Sequence, residues 1–218
     1  ENISFNGKNI AVIGEDRETT IIDGNQNGSV VTFLWVTDTT ATLDGFTIIN
    51  GSGTACGSLW GAGDSTRICG GGIYCNQSNP TLKNLIIKDN IVSAPNNSIN
   101  TQGGGIFCHY SMPDIINVKI INNQVVDVGG GIAIQSIGST NPKFSLSNVL
   151  IADNNREGIY IDSFWGLELI NVTITGNGYR GLHASNLVNS ELILVNSIIW
   201  NNVEEEIQSC SECQINVS

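Results

Sequence analysis

Acid–base chemistry needs side chains that titrate near neutrality or hold a fixed charge, and this chain offers few. Its 218 residues include 2 histidines, 9 lysines and arginines, and 20 aspartates and glutamates. Four positions are candidates for catalysis: His109, Arg156, Asp162 and Arg180. Arg156 and Arg180 occupy nearly equivalent places in consecutive repeats. Asp162 lies close to Glu157 and Asp153, and hydrolysis of a glycosidic bond by paired carboxylates needs two acids about 5–10 Å apart. Elimination at a uronate would instead need a cation to neutralise the carboxylate and a base of tuned pKa. The competing reading is that all four are solvated turn residues.

A second set suits recognition better than reaction. Tyr74, Phe107, Tyr160 and His183 stand at the same place in a recurring segment, and two residues later come Asn76, His109, Asp162 and Ser185. Aromatic rings on a flat strand face can stack on sugars, and adjacent amides and carboxylates can hydrogen-bond hydroxyls. Tyr74, Phe107, His109, Tyr160, Asp162 and His183 are therefore the candidate ligand-binding residues. The alternative for Tyr74 and Phe107 is burial beneath the long segment Ser52–Gly71, which carries Trp60, Asp64 and Arg67.

These residues are placed by repetition. One template, Leu-x-Asn-apolar-x-Ile-x-x-Asn, appears as "LDGFTIING" from Leu43, "LKNLIIKDN" from Leu82 and "IINVKIINN" from Ile115. It returns as "LSNVLIADN" from Leu146, "LINVTITGN" from Leu169 and "LVNSIIWNN" from Leu194, at steps of 39, 33, 31, 23 and 25 residues. Between the copies sit "GIYC" at Gly72, "GIFC" at Gly105, "GIAI" at Gly131, "GIYI" at Gly158 and "GLHA" at Gly181. A unit this short, with no helical period, stacks as parallel strands about 4.8 Å apart. Each turn then buries its apolar face only against its neighbours, as in a solenoid of seven to eight coils. Alternation sends the template's first Leu or Ile, its fourth residue and its sixth residue inward. The recurrent asparagines fall where strands turn, because Asn tolerates left-handed backbone and its amide can stack into ladders.

The six cysteines divide into three kinds. Cys56 and Cys69 bracket the longest insertion, where a disulfide would offset the loop's disorder. Cys75 and Cys108 share an inward slot on successive turns and read as a stacked thiol pair. Cys210 and Cys213 fit a local disulfide better than a zinc or redox site. An even count with this spacing fits an oxidising, extracellular location.

Composition narrows the function classes. Charged residues make up 13% of the chain and glycine is frequent, at 25 residues, which favours strands joined by turns. The net charge of −11 argues against nucleic acid and anionic membrane as partners. No apolar run approaches the ~20 residues of a membrane span. Glu1–Phe5 already reads as strand, and the expectation is one domain over residues 1–218, a fragment of a longer chain. Exposed terminal coils would be edges prone to end-to-end self-association. No cofactor is expected, although Asp89, Asp153, Glu157 and Asp162 could recruit Ca²⁺.

The alternation of "GGGI" with "IxxN", and the phrase "SNPTLKNLIIKDN", resembles the right-handed parallel β-helix proteins of the pectin-lyase-like superfamily. It is similar above all to repeats of bacterial secreted and surface proteins, including chlamydial polymorphic outer-membrane proteins. The resemblance implies an all-β right-handed parallel β-helix acting as an extracellular or cell-surface scaffold, an adhesion-type domain with glycan binding on an outward strand face. Enzymes of that superfamily imply the alternative, a polysaccharide lyase or glycoside hydrolase acting on an acidic polysaccharide. Their polygalacturonase-like members use paired aspartates, a Gly-His-Gly and an Arg-Ile-Lys segment. None of these occurs in this chain; "GLHAS" around His183 is a faint echo.

Overall fold

The structure, a computed structural model, describes residues 1–35, 39–56, 67–96, 99–135, 144–162, 166–185, 191–208 and 214–217. Three large sheets account for most of them. The first has eight strands in the spatial order Ile3–Ser4, Val31–Leu34, Ile73–Asn76, Ile106–His109, Ile132–Gln135, Ile159–Asp162, Leu182–Ser185 and Ile207–Gln208. The second runs through eight strands from Ala11–Ile13 to Gln214–Val217, and the third through seven from Ile21–Asp23 to Ile198–Trp200. The chain visits the three in rotation, and neighbouring strands within them pair in parallel. The architecture is all-β and compatible with a parallel β-helix.

The inward positions expected from the repeat are the buried ones. Leu43, Leu82, Leu146 and Leu169 are fully enclosed, as are Ile48, Ile87, Ile120, Ile151 and Ile174. They form one continuous core with the Ile73, Ile106, Ile132 and Ile159 column of the first sheet. Cys75 pairs in register with Cys108, and both are buried free thiols within that core. Burial, reinforced by Cys108, pushes the Cys75 thiol well above its ordinary range.

The asparagines divide into two columns with different physics. Asn84, Asn117, Asn148, Asn171 and Asn196 mark the corner between the second and third sheets and have φ from 49° to 57°. Asn90, Asn123, Asn154, Asn177 and Asn202 lie buried at the corner leading back to the first sheet. Left-handed backbone there falls one residue earlier, at Asp89, Asn122, Asp153, Gly176 and Asn201. The buried amides are thus freed to stack. Asn202, the last, donates Nδ2 to Glu206 Oε2; the first four each donate Nδ2 to the next Oδ1, at 2.9 Å, 3.1 Å, 3.0 Å and 2.9 Å along the column. The same oxygens accept the backbone N–H of the preceding Asn. One side chain therefore satisfies backbone and neighbour at once inside the wall.

The glycine triplets serve this corner. Gly70, Gly103 and Gly129 have φ of 62°, 69° and 70° and turn the chain into the first sheet. The last glycine of each triplet packs flat instead: a Cβ on Gly131 would stand 2.4 Å from Gly158 O and 3.2 Å from Asn154 Nδ2.

Outside the stack, Thr54–Ala55 pairs antiparallel with Ile68–Cys69, which pairs in parallel with Thr101–Gln102. The Cys56–Cys69 disulfide closes this arm. The Cys210–Cys213 bridge expected from sequence lies outside the described residues, as do Trp60 and Asp64.

Candidate functional site on the outer face of the first sheet

Strand alternation gives the first sheet two outward columns, and the register confirms both. One runs Thr32, Tyr74, Phe107, Ala133, Tyr160, His183 and Gln208; the other runs Leu34, Asn76, His109, Gln135, Asp162 and Ser185. The face is not uniform, because the arm covers one end of it.

At the covered end, Tyr74 and Phe107 stack with ring centroids 5.8 Å apart. They form a small core with Cys69 and Ala133, against which Leu34, Cys56 and Tyr160 pack. Tyr74 is 5% exposed, Phe107 1% and His109 8%. The expectation that Tyr74 and Phe107 offer open rings for sugar stacking is therefore corrected. The arm, held at Cys69, buries them as its own hydrophobic anchor. Burial pushes the Tyr74 hydroxyl up to about 12.

His109 is also enclosed. Its Nδ1 meets Asn76 Oδ1 at 2.9 Å, and its ring lies parallel to Phe107. Burial first, and then the Arg67 charge, push its pKa down to about 4. An imidazole that stays neutral and walled in is poorly placed to take a proton from a substrate in solvent.

The other catalytic candidates do not gather around it. Arg156 donates Nε to Asp127 O at 2.6 Å and lies 4.9 Å from the Tyr179 ring centroid. Arg180 reaches Glu205 Oε2 at 3.3 Å and lies 4.3 Å from the same ring. The two arginines thus bracket Tyr179 at the corner entering the first sheet. Cation–π contact with Tyr179, together with a carbonyl hydrogen bond for Arg156 and an ion pair for Arg180, accounts for both without chemistry.

The open end holds the better cluster. Tyr160, His183, Asp162 and Ser185 are half-buried. Tyr160 and His183 meet edge to face with centroids 5.1 Å apart. Ser185 Oγ donates to Ile161 O and lies 3.3 Å from Tyr160 Oη. Gln135 Nε2 reaches Asp162 Oδ2 at 3.4 Å, while Arg67 Nη1 donates to Gln135 Oε1 at 3.0 Å. A polar chain thus runs from the arm into the open patch.

Glu157, read from sequence only as a carboxylate near Asp162 and a possible Ca²⁺ ligand, lies behind this patch. Its carboxylate is buried, with Oε2 accepting from Gly129 N at 2.9 Å and Oε1 3.7 Å from His183 Nδ1. The 3.7 Å contact is electrostatic and too long for a hydrogen bond. Burial alone would raise the Glu157 pKa, but His183, the Gly129 amide and Arg156 together hold it below the usual carboxylate value. The signal was present: Glu157 stands where earlier repeats carry Gly71, Gly104 and Gly130.

The four carboxylates considered for Ca²⁺ do not converge. Asp89 and Asp153 line a cleft of about 440 Å³ with Asn50, Asn122, Gln124 and Asn155 at the corner between the third and first sheets. Asp162 and Glu157 belong to the first-sheet face. Among the described residues no group of three or more His, Cys, Asp or Glu side chains is disposed to hold a metal. Among the described residues no helix is long and apolar enough to cross a membrane. Comparison with family models, curated proteins and solved structures gives no match for this chain.

Proposed function

We propose that the chain is a right-handed parallel β-helix of seven to eight coils, allied to the pectin-lyase-like proteins, and that it serves as an extracellular or cell-surface scaffold. Its ligand is a glycan, bound on the open half of the first sheet's outer face. One observation carries the reading: Tyr160 stands half-exposed among Gln135, Asp162, His183 and Ser185, a ring with hydrogen-bonding groups around it on a rigid parallel sheet. Such a mixture of one apolar plate and convergent polar groups suits a sugar. The Cys56–Cys69 bridge supports an oxidising compartment. Net charge of −11 favours neutral glycans over polyanions. A glycan array probed with wild-type protein and Tyr160→Ala tests the reading: wild type binds a neutral oligosaccharide and Tyr160→Ala loses it. Wild-type protein that binds no glycan sinks it.

A second reading, polysaccharide lyase or glycoside hydrolase, draws on the contact of Glu157 with His183 beside Asp162. Here the carboxylate would orient the imidazole as a base, replacing His109 and Arg156 in that role. Release of unsaturated uronate products, abolished by His183→Ala, would favour it over the scaffold.

A further inference from the structure

One corner of the stack breaks a rule kept elsewhere. Among the described residues sixteen that are not glycine have positive φ, and twelve of them are Asn or Asp. The other four are Gln26, Trp35, Gln77 and Tyr110. The last three turn the corner between the first and second sheets on successive coils, with φ of 50°, 49° and 47°. The ladder of the first sheet continues into them: Trp35 N donates to Asn76 O, Gln77 N to His109 O and Tyr110 N to Gln135 O. Left-handed backbone is costly for bulky side chains. Gly7, whose Cβ would stand 3.1 Å from Trp35 O, turns the adjoining coil with φ of 70°, so the corner itself asks only for glycine. Strain of this kind points to a task for the side chain.

The task is not packing. Trp35 is 58% exposed and Tyr110 38%, and Gln77 between them is exposed as well. Tyr110 is steadied edge-on against His109, with centroids 4.3 Å apart. The three residues stack in register with one backbone conformation, so their Cα–Cβ bonds leave the corner in the same direction. The Cα atoms of Trp35 and Tyr110 stand two strand spacings apart, about 9.6 Å. A polyproline II helix has three residues per turn at about 3.1 Å each, a pitch of about 9.3 Å. Such a chain, laid along the corner parallel to the stack axis, would set every third residue opposite one of the two rings.

The polar groups select the same occupant. Polyproline II carbonyls have no internal partners and proline has no N–H, so what such a chain needs between the rings is an amide donor. Gln77 supplies one. A glycan site gathers several polar groups about a ring, as around Tyr160. Here the adjacent hydroxyls are spent, Ser78 Oγ on Asn76 O and Ser111 Oγ on His109 O. The net charge of −11 favours basic flanks on the ligand. We propose that Trp35, Gln77 and Tyr110 form a docking ridge for a proline-rich segment of a partner protein, bound as polyproline II with basic residues beside it. The ridge stands apart from the Tyr160 patch, and either can fail without the other.

Fluorescence anisotropy tests it with a fluorescein-labelled peptide of nine prolines flanked by arginines. Wild type should bind this peptide and not a Gly-Ser peptide of equal length with the same flanks. Trp35→Gly and Tyr110→Gly should each weaken binding about tenfold or more, the loss of one aromatic anchor, while Tyr160→Ala leaves it unchanged. Glycine takes left-handed backbone freely, so the corner still turns in both variants and their far-UV circular dichroism should match wild type. Trp35→Gly decides alone if Tyr110→Gly, which gives up the His109 contact, folds poorly. The proposal is wrong if wild type does not bind the oligoproline, binds the Gly-Ser peptide equally well, or binds no better than Trp35→Gly. Displacement of the oligoproline by cellohexaose would make the ridge a sugar platform and overturn it too.

Discussion

Replacing Asn154 by Ala probes how much of the wall's strength lies in its buried amide column. Four hydrogen bonds vanish with that side chain: Nδ2 to Asn177 Oδ1, Nδ2 to Ile120 O, and the two that Oδ1 accepts from Asn123 N and Nδ2. Asn123 Nδ2 keeps Ile87 O and Asn177 Oδ1 keeps the Asn154 backbone N–H, so these two are only weakened. Asn123 N loses its side-chain acceptor inside a site with no exposure. At about 1 kcal/mol for each net bond and about 1–3 kcal/mol for an orphaned buried amide, the loss is about 4–6 kcal/mol. The matched control is Asn148→Ala in the exposed column. It gives up the bond accepted from Asn171 Nδ2 and a long 3.4 Å contact to Ser147 Oγ, and puts Ala at a φ of 57°, together about 1–2 kcal/mol. Asn148→Gly should cost less than Asn148→Ala, because glycine takes that backbone freely. Urea unfolding followed by far-UV circular dichroism gives both differences from the midpoints at constant slope. Equal losses at Asn154 and Asn148 would refute the claim that the inner column is structural cement and the outer one a set of turn residues.

Three further outcomes follow from the same geometry. Gly131→Ala should destabilise by about 3 kcal/mol in the same urea assay, since the new Cβ meets Gly158 O at 2.4 Å and the neighbour is backbone. Converting both Cys56 and Cys69 to Ser should cost about 3 kcal/mol on the chain-entropy account and increase binding of a hydrophobic dye, as the arm loosens over Tyr74 and Phe107. His109 supplies a pH dependence. Its folded pKa of about 4 lies below the ordinary 6.5, so between these values the unfolded chain binds a proton that the folded protein refuses. Its contribution is complete above pH 6.5 and falls as the pH drops toward 4, by up to about 3 kcal/mol. Unfolding free energies of wild type and His109→Gln, compared at pH 7 and pH 4.5, should show the wild type losing more; an equal loss would contradict the burial argument.

The sequence disclosed the stack because packing there repeats. Leu43, Leu82, Ile115 and their successors meet one constraint, an inward slot facing the same slot one strand away, and so return as one pattern. The columns of the first sheet were legible for the same reason, down to the pairing of Tyr160 with His183. Which rings face solvent was not legible, because the arm over Tyr74 and Phe107 is an insertion with no repeat to calibrate it. The sequence raised burial as an alternative but could not decide it. The left-handed corner was misplaced by one residue at Asn90 and its successors: Asn suits both a turn and a buried ladder, and only the backbone separates the roles. Glu157 was seen as one turn carboxylate among several, since nothing local announces that an acid in a glycine slot will bury against His183.

The central claim is that a rigid parallel stack presents one open sugar-binding face, centred on Tyr160 at the border of the small core beneath the arm. Isothermal titration of the best-binding neutral oligosaccharide into wild type, Tyr160→Ala and Val126→Ala tests it most directly, with Val126 an exposed residue outside the three large sheets. The account predicts that Tyr160→Ala weakens binding at least tenfold, the loss of a stacking plate worth about 1.5 kcal/mol, with Val126→Ala unchanged. Binding that survives Tyr160→Ala intact would place the ligand elsewhere and contradict the account.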